Sequence, residues 1–283
     1  MKNKLSQYAQ NKTSQYGEDG VIERIFQIIP KDGDRWCVEF GAWDGKNLSN
    51  TYELMTNHGW HGVMIEASSA KFQDLKKTYA GNDKAVLINE LVHFEGSGAL
   101  DNILKKTPIP KNFDLLSIDI DGCDYYIWES LKEYSPKLVV IEFNQTIPSD
   151  VEFVQEKRFG VMQGNSLLAL TKLGKQKGYE LVATTLCNGF FVKKEYFHLF
   201  DIADNSITEI WDTEKPAPRM FQLFDGTLAL TEGFKLNWSR NYVDRLDLQK
   251  VPKFLRHFHD ATGVMGVVHR VVRKVYYRVK GDK

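Results

Sequence analysis

The chain has 283 residues, 42% hydrophobic and 26% charged, enough to bury a full core as one large domain or a domain with appendages. Lysine plus arginine and aspartate plus glutamate each total 37, and this zero balance argues against a nucleic-acid partner spread over the whole surface. No run reaches the roughly 18 apolar residues of a membrane span, Met1 to Gln10 lacks the apolar core of a secretory signal, and Cys37, Cys123 and Cys187 show no metal spacing, so they read as reduced thiols of a cytoplasmic protein.

Residues 1–17 are polar and read as an irregular arm. Glu18 and Asp19 suit the first turn of a helix whose apolar face is Val21, Ile22, Ile25, Phe26 and Ile29, and Pro30 ends it. Strand one is expected over 36–40. Leu48, Tyr52, Leu54 and Met55 suggest a helix up to His58-Gly59, and strand two runs over 62–66. Phe72, Leu75 and Tyr79 mark a helix closed by Gly81, followed by strand three at 85–88. A short helix holds Leu100, Ile103 and Leu104. Strand four spans 114–118, a helix carries Tyr126, Trp128 and Leu131, and strand five spans 137–141.

Residues 145–165 have no clear period, and a loop this long in a compact domain is usually a lid or binding loop. A helix from Ser166 then leads to strand six (179–184) and strand seven (189–192), which are too close for a crossover helix and should form an antiparallel hairpin at one edge. The alternation predicts an α/β fold, a Rossmann-like doubly wound, mostly parallel sheet of seven strands with ligand at the carboxyl ends of the strands. Residues 18–195 would form this domain. Residues 196–262, rich in Phe and Trp, read as a cap or extension.

The last segment, 263–283, reads as a basic amphipathic helix. Val264, Val267, Val268, Val271, Val272, Val275 and Val279 recur at helical spacing among Arg270, Arg273, Lys274, Arg278 and Lys280, with no acid between Asp260 and Asp282. It could lie on an anionic membrane, which would place the protein peripherally at the inner face. It could also pack on the domain or on a second subunit, as in a homodimer, and the sequence reading favours this packing.

The chemistry concentrates at strand ends. In a parallel sheet, Glu39 and Asp44 after strand one, Glu66 after strand two, Asp119 and Asp121 after strand four, and Glu142 and Asn144 after strand five converge on one crevice. Crowded carboxylates repel one another unless a cation, a proton or ligand donors compensate. The turn after Glu39 lacks the third glycine of G-x-G-x-x-G, and Glu39 stands where a pyrophosphate would be repelled. The pattern therefore suits a cationic nucleoside such as S-adenosylmethionine better than NAD. Asp119, following Leu115-Leu116-Ser117-Ile118, is expected to be largely buried. Asp119, Asp121, Glu142 and Asn144 also offer hard oxygen ligands for Mg²⁺ or Mn²⁺.

Ser14-Gln15-Tyr16-Gly17-Glu18-Asp19-Gly20, the turn VEFGAWDG, LLSIDIDGCDYYIW, VVIEFN and GNSLLALTKLGKQKGYEL occur in the order in which FkbM-type S-adenosylmethionine-dependent methyltransferases carry such motifs, and the chain resembles that family from about Ser14 to Val192. The resemblance implies a class I methyltransferase fold. It places Glu39, Gly41 and Asp44 around the methionine end of the cofactor, Glu66 on its ribose and Asp119 beside its sulfonium. Gln15 and Tyr16 would lie in an arm over the cofactor, and Asn89 and Glu90 near its adenine. Cys123 stands where the family pattern leads one to expect a polar residue such as Asn.

The ends of strands four and five are similar in layout to catechol O-methyltransferase, an acid and then an acid with an amide. The implied activity is methylation of a hydroxyl of a saccharide, glycan or other small molecule. Asp119 or Asp121 would act with a divalent metal or, in its absence, Asp121 or a histidine would act as base. Gln145, Glu156, Lys157 and Arg158 of the loop are the candidate acceptor contacts. A nucleotide-sugar or NAD enzyme on the same kind of sheet, and an inactive S-adenosylmethionine-binding module, are the competing readings. No nucleic-acid partner is expected.

Overall fold

The computed structural model describes residues 4–120, 122–145, 147–211, 220–223, 227–231, 234–235, 242–243 and 264–280. Seven strands, β1 (Trp36–Phe40), β2 (His61–Ile65), β3 (Ala85–Ile88), β4 (Leu115–Ile118), β5 (Leu138–Glu142), β6 (Tyr179–Thr184) and β7 (Asn188–Lys193), join in the order β3-β2-β1-β4-β5-β7-β6. All neighbours are parallel except β7, which runs antiparallel to both β5 and β6. The fold is the expected Rossmann-like doubly wound sheet. The hairpin of β6 and β7 is also as expected, with one refinement: β7 inserts between β5 and β6, so the hairpin's first strand takes the edge.

Side-chain alternation explains why the strands read as continuous apolar runs. Val38, Phe40, Val63, Ile65, Leu116, Ile118, Val139 and Ile141 face one side, where α4 (Leu100–Leu104), α5 (Asp124–Ser130) and α6 (Leu167–Gln176) cover them. Cys37, Met64, Leu115, Leu138 and Val140 face the other, covered by α1 (Glu18–Ile28), α2 (Tyr52–Asn57) and α3 (Ser69–Thr78). Both faces are dry, as a parallel sheet requires.

Two expectations need correction. The helix suggested from Leu48 starts only at Tyr52, and Leu48 is 53% exposed with a φ of 59°. Leu48 is therefore not on the helix's apolar face, and the chain over 41–51 is a turn-rich loop. Asp119 is exposed rather than buried, because β4 ends at Ile118 and the chain leaves the sheet there.

Beyond β7, α7 (Lys194–Phe197) and α8 (Ile207–Ile210) are short, and Trp211 packs edge-on against Phe143 at 5.4 Å. Strands β8 (Met220–Gln222) and β9 (Leu228–Leu230) form an antiparallel pair whose Phe221 and Ala229 pack with Ile147. Most of the expected cap over 196–262, including Phe224 and Trp238, lies outside the described residues. Helix α9 (Val264–Lys280) forms as expected, but Val264, Val267, Val268, Val271, Val272 and Val275 all stay exposed rather than docked on the domain.

At the far end of α6, Lys177 donates to the Leu131 carbonyl at 2.6 Å, and burial, helped by repulsion from Lys132, holds its ammonium down at about 8 against an ordinary 10.5. The unfolded chain keeps that proton more tightly, so stability rises as pH climbs from about 8 to 10.5. Lys177→Met should remove this rise, about 1–2 kcal/mol once partial solvent exposure is discounted, in denaturant titrations across that range.

Candidate functional site

Strand order reverses between β1 and β4, and a cavity of about 450 Å³ opens at their carboxyl ends. Its size is that of a small-molecule site, and a topological switch point is where open α/β sheets bind ligands. Glu39, Gly41, Trp43, Asn47, Leu48, Ser49 and Asn50 line it from β1 and the following loop, joined by Asp119 after β4, Glu142 at the end of β5, and Gln15 from the arm.

The β1 turn and the β4 end are in direct contact. A Cβ on Gly41 would stand 2.3 Å from the Asp119 carbonyl oxygen, and Gly41 has a φ of 70°. Only glycine meets both demands. Trp43 and Leu48 adopt left-handed conformations (φ 49° and 59°) although they are bulky, and both are exposed at the cavity wall. Such backbone strain costs about 1–3 kcal/mol per residue and tends to mark ligand sites.

The loops hold their shape because acids grip their donors. Glu39 accepts from Ser49 Oγ (2.6 Å), Thr51 Oγ1 (2.8 Å) and the Asn50 amide (2.9 Å). Burial raises the Glu39 carboxyl above its ordinary value, and these three donors pull it part of the way back. Asn50 Nδ2 donates to Ser117 Oγ at 3.1 Å, tying the loop to β4. Asp44 accepts the amides of Lys46 (3.0 Å) and Asn47 (2.9 Å). Its burial opposes ionisation, but these bonds outweigh that and leave its carboxyl below the usual value. Glu66 accepts the Trp43 amide at 2.9 Å and the Ser68 amide at 2.6 Å. Asn89 donates to the Glu66 carbonyl at 2.7 Å and accepts from Ser69 Oγ at 2.9 Å.

The arm is built the same way. One carboxylate oxygen of Asp19 receives the amides of Lys12, Thr13 and Ser14 at 2.7–2.8 Å and the Ser14 hydroxyl at 2.8 Å. Glu18, fully buried, receives the amides of Gln15 (3.1 Å) and Tyr16 (2.7 Å) on one oxygen, and Thr185 Oγ1 and Asn188 Nδ2 on the other. Gln15 is thereby carried to the cavity, while Tyr16 is exposed and does not line it. Beyond β4, Asp124 accepts the amides of Ile120 and Gly122, both at 2.9 Å. Sequence reasoning took Glu18 and Asp19 for first-turn acids and passed over Asp124. The signal available was placement: each stands within a few residues of a turn-forming stretch.

Thus Gln15, Glu39, Gly41, Asp119 and Glu142 are brought to one cavity. Tyr16, Asp44, Glu66, Asn89 and Asn144 do not line it. Asp121 lies outside the described residues.

The acceptor candidates in 145–165 do not line it either. The loop packs on the end of β4, where a Cβ on Gly122 would meet the Val161 carbonyl at 2.8 Å. Buried Gln155 accepts the amides of Gln163 (3.1 Å) and Gly164 (3.0 Å). Lys157 lies over the rings of Phe94 (4.9 Å) and Tyr126 (5.2 Å), Arg158 is 3.5 Å from Glu156, and Gln145 is half-buried.

Among the described residues no three Asp, Glu, His or Cys side chains are gathered closely enough to hold a metal ion. Asn144 turns its amide nitrogen to the Gln163 carbonyl at 2.7 Å. Asp121, the remaining residue of the expected ligand set, lies outside the described residues.

No protein-family model and no curated protein matches the chain. Solved structures similar to it include the citrinin polyketide synthase CMeT domain, at 12% identity and a TM-score of 0.41, covering 62% of this chain and 50% of that one. The N-terminal domain of EvdMO1 with SAH bound is similar at 11% identity and a TM-score of 0.39, covering 62% and 79%. The mitomycin 7-O-methyltransferase MmcR is similar at 14% identity and a TM-score of 0.37, covering 61% and 52%. The chain spans about half the length of the first and third of these. The fold assignment rests on the strand order, not on these likenesses.

The hydrogen bonds make one expectation concrete. Glu39→Ala strands the Asn50 amide and two hydroxyls in a buried site, so it should lower the free energy of unfolding by about 2–3 kcal/mol in urea titrations. It should also speed amide exchange at 49–51.

Proposed function

We propose that the chain is an S-adenosylmethionine-dependent O-methyltransferase acting on a hydroxyl of a small molecule or saccharide. The observation that carries this reading is the switch-point cavity with Glu39, Asp119 and Glu142 on its wall. Three acids around one small space suit a positively charged ligand, and a sulfonium nucleoside is the cation for which such a sheet is suited. The ordered motifs resembling FkbM-type methyltransferases support the same reading and supply the saccharide preference.

The NAD and nucleotide-sugar readings fit less well. A pyrophosphate needs helix amides directly behind the first turn. Here α2 begins only at Tyr52, has six residues and follows a loop whose wall is acidic.

In this proposal the backbone of 41–43 approaches the methionine portion, and Gln15 closes over it. Glu66 does not line the cavity, and its part is to hold the Trp43 and Ser68 amides and so the turn that faces the cofactor. When bound, S-adenosylmethionine supplies an electrophilic methyl group. The chain's part is to align the acceptor oxygen in line with that group and exclude water. Asp119 or Glu142 takes the hydroxyl proton; Asp121 stays a candidate for the same role.

Calorimetry with S-adenosylmethionine, S-adenosylhomocysteine, NAD and UDP-glucose tests the reading. The expected result is one site for each of the first two and none for the others. Gly41→Ala should weaken both by at least about tenfold, since its Cβ would displace the β4 end. Binding of NAD or UDP-glucose alone would reject the proposal.

A further inference from the structure

Helix α9 has no role in the cavity, and its composition departs from the rest of the chain. It carries five cations, Arg270, Arg273, Lys274, Arg278 and Lys280, and no acid, so the remaining chain holds five more acids than cations. Val264, Val267, Val268, Val271, Val272 and Val275 recur every three or four residues and fall on one face. They are 40–81% exposed. Arg270, Lys274 and Arg278 are exposed as well.

A 17-residue helix rich in β-branched residues is marginal in water by itself, so a surface that buries the valines would also stabilise the helix. The helix is about 25 Å long. No described helix, α9 included, is long and apolar enough to cross a membrane.

We infer that α9 is an interfacial anchor that lies flat on an anionic lipid surface, valines in the acyl boundary and cations among the headgroups. Charge complementarity selects the occupant. A second copy of the helix would bring five more cations against the first. A nucleic acid would leave the valine face uncovered. An anionic bilayer satisfies both faces at once. The inference does not depend on what the cavity binds.

Co-sedimentation of the full chain with vesicles tests it, comparing equal mixtures of phosphatidylcholine and phosphatidylglycerol with phosphatidylcholine alone. The chain should pellet with the anionic vesicles and stay in solution with the neutral ones, and added salt should weaken binding. At about 1 kcal/mol per cation near the surface, Arg270→Gln with Lys274→Gln should lower partitioning about 30-fold. Val271→Asp should lower it at least about tenfold. Unchanged thermal unfolding of these variants would show that the domain is intact. Equal binding to both vesicle types overturns the anionic-surface assignment. Absence of vesicle binding overturns the anchor, as does a lipid-free dimer in sedimentation velocity that Val271→Asp dissolves.

Discussion

Buried carboxylates saturated by loop donors are the interaction on which the rest of this structure depends. Glu39 grips 49–51, Glu66 grips Trp43 and Ser68, Asp19 grips 12–14, Glu18 grips 15–16 and the β6–β7 turn, and Asp124 grips Ile120 and Gly122. Loop amides have no ladder to join, and leaving one buried without a partner costs about 1–3 kcal/mol. A carboxylate can accept up to four bonds, so one acid organises a whole turn. These acids give irregular chain the definition of secondary structure just where the sheet opens.

The same arrangement explains how a cavity lined by bulky residues can be preformed. Trp43 and Leu48 hold left-handed conformations that an unsupported loop would relax. The Trp43 amide is tethered to Glu66, and Leu48 sits between Asn47, held by Asp44, and Ser49, held by Glu39. Gly41 completes the set, because the β1 turn must press against the Asp119 carbonyl. The strain is borne by the acids that grip the loops, and Glu39, Asp119 and Glu142 together line the cavity.

Much of the scaffold was legible in the residues. Runs such as Leu138-Val139-Val140-Ile141 can be buried on both faces only in a sheet covered by helices, and short spacing forced the β6–β7 hairpin. What hydrophobic period cannot see is conformation without a period. Leu48 continued an apolar spacing into a loop, because spacing does not register a positive φ. Asp119 looked buried by proximity to an apolar strand, although the strand stops one residue earlier. The convergence of acids was readable from strand ends, but not the division of labour among them. That division depends on which donors come within hydrogen-bond reach, and some of them are distant in sequence, as the Trp43 amide on Glu66 and Asn188 Nδ2 on Glu18 show. The loop over 145–165 was visible as a loop, while its anchoring around Gln155 was not.

The central claim is that loops preorganised by buried acids frame a cofactor site between β1 and β4. A crystal structure with S-adenosylhomocysteine tests it most directly. The account predicts density between Gln15, the Gly41 turn, Asp119 and Glu142, with Glu39 still bonded to Ser49, Asn50 and Thr51. Ligand bound elsewhere, or Glu39 released from 49–51 to reach it, would contradict the account.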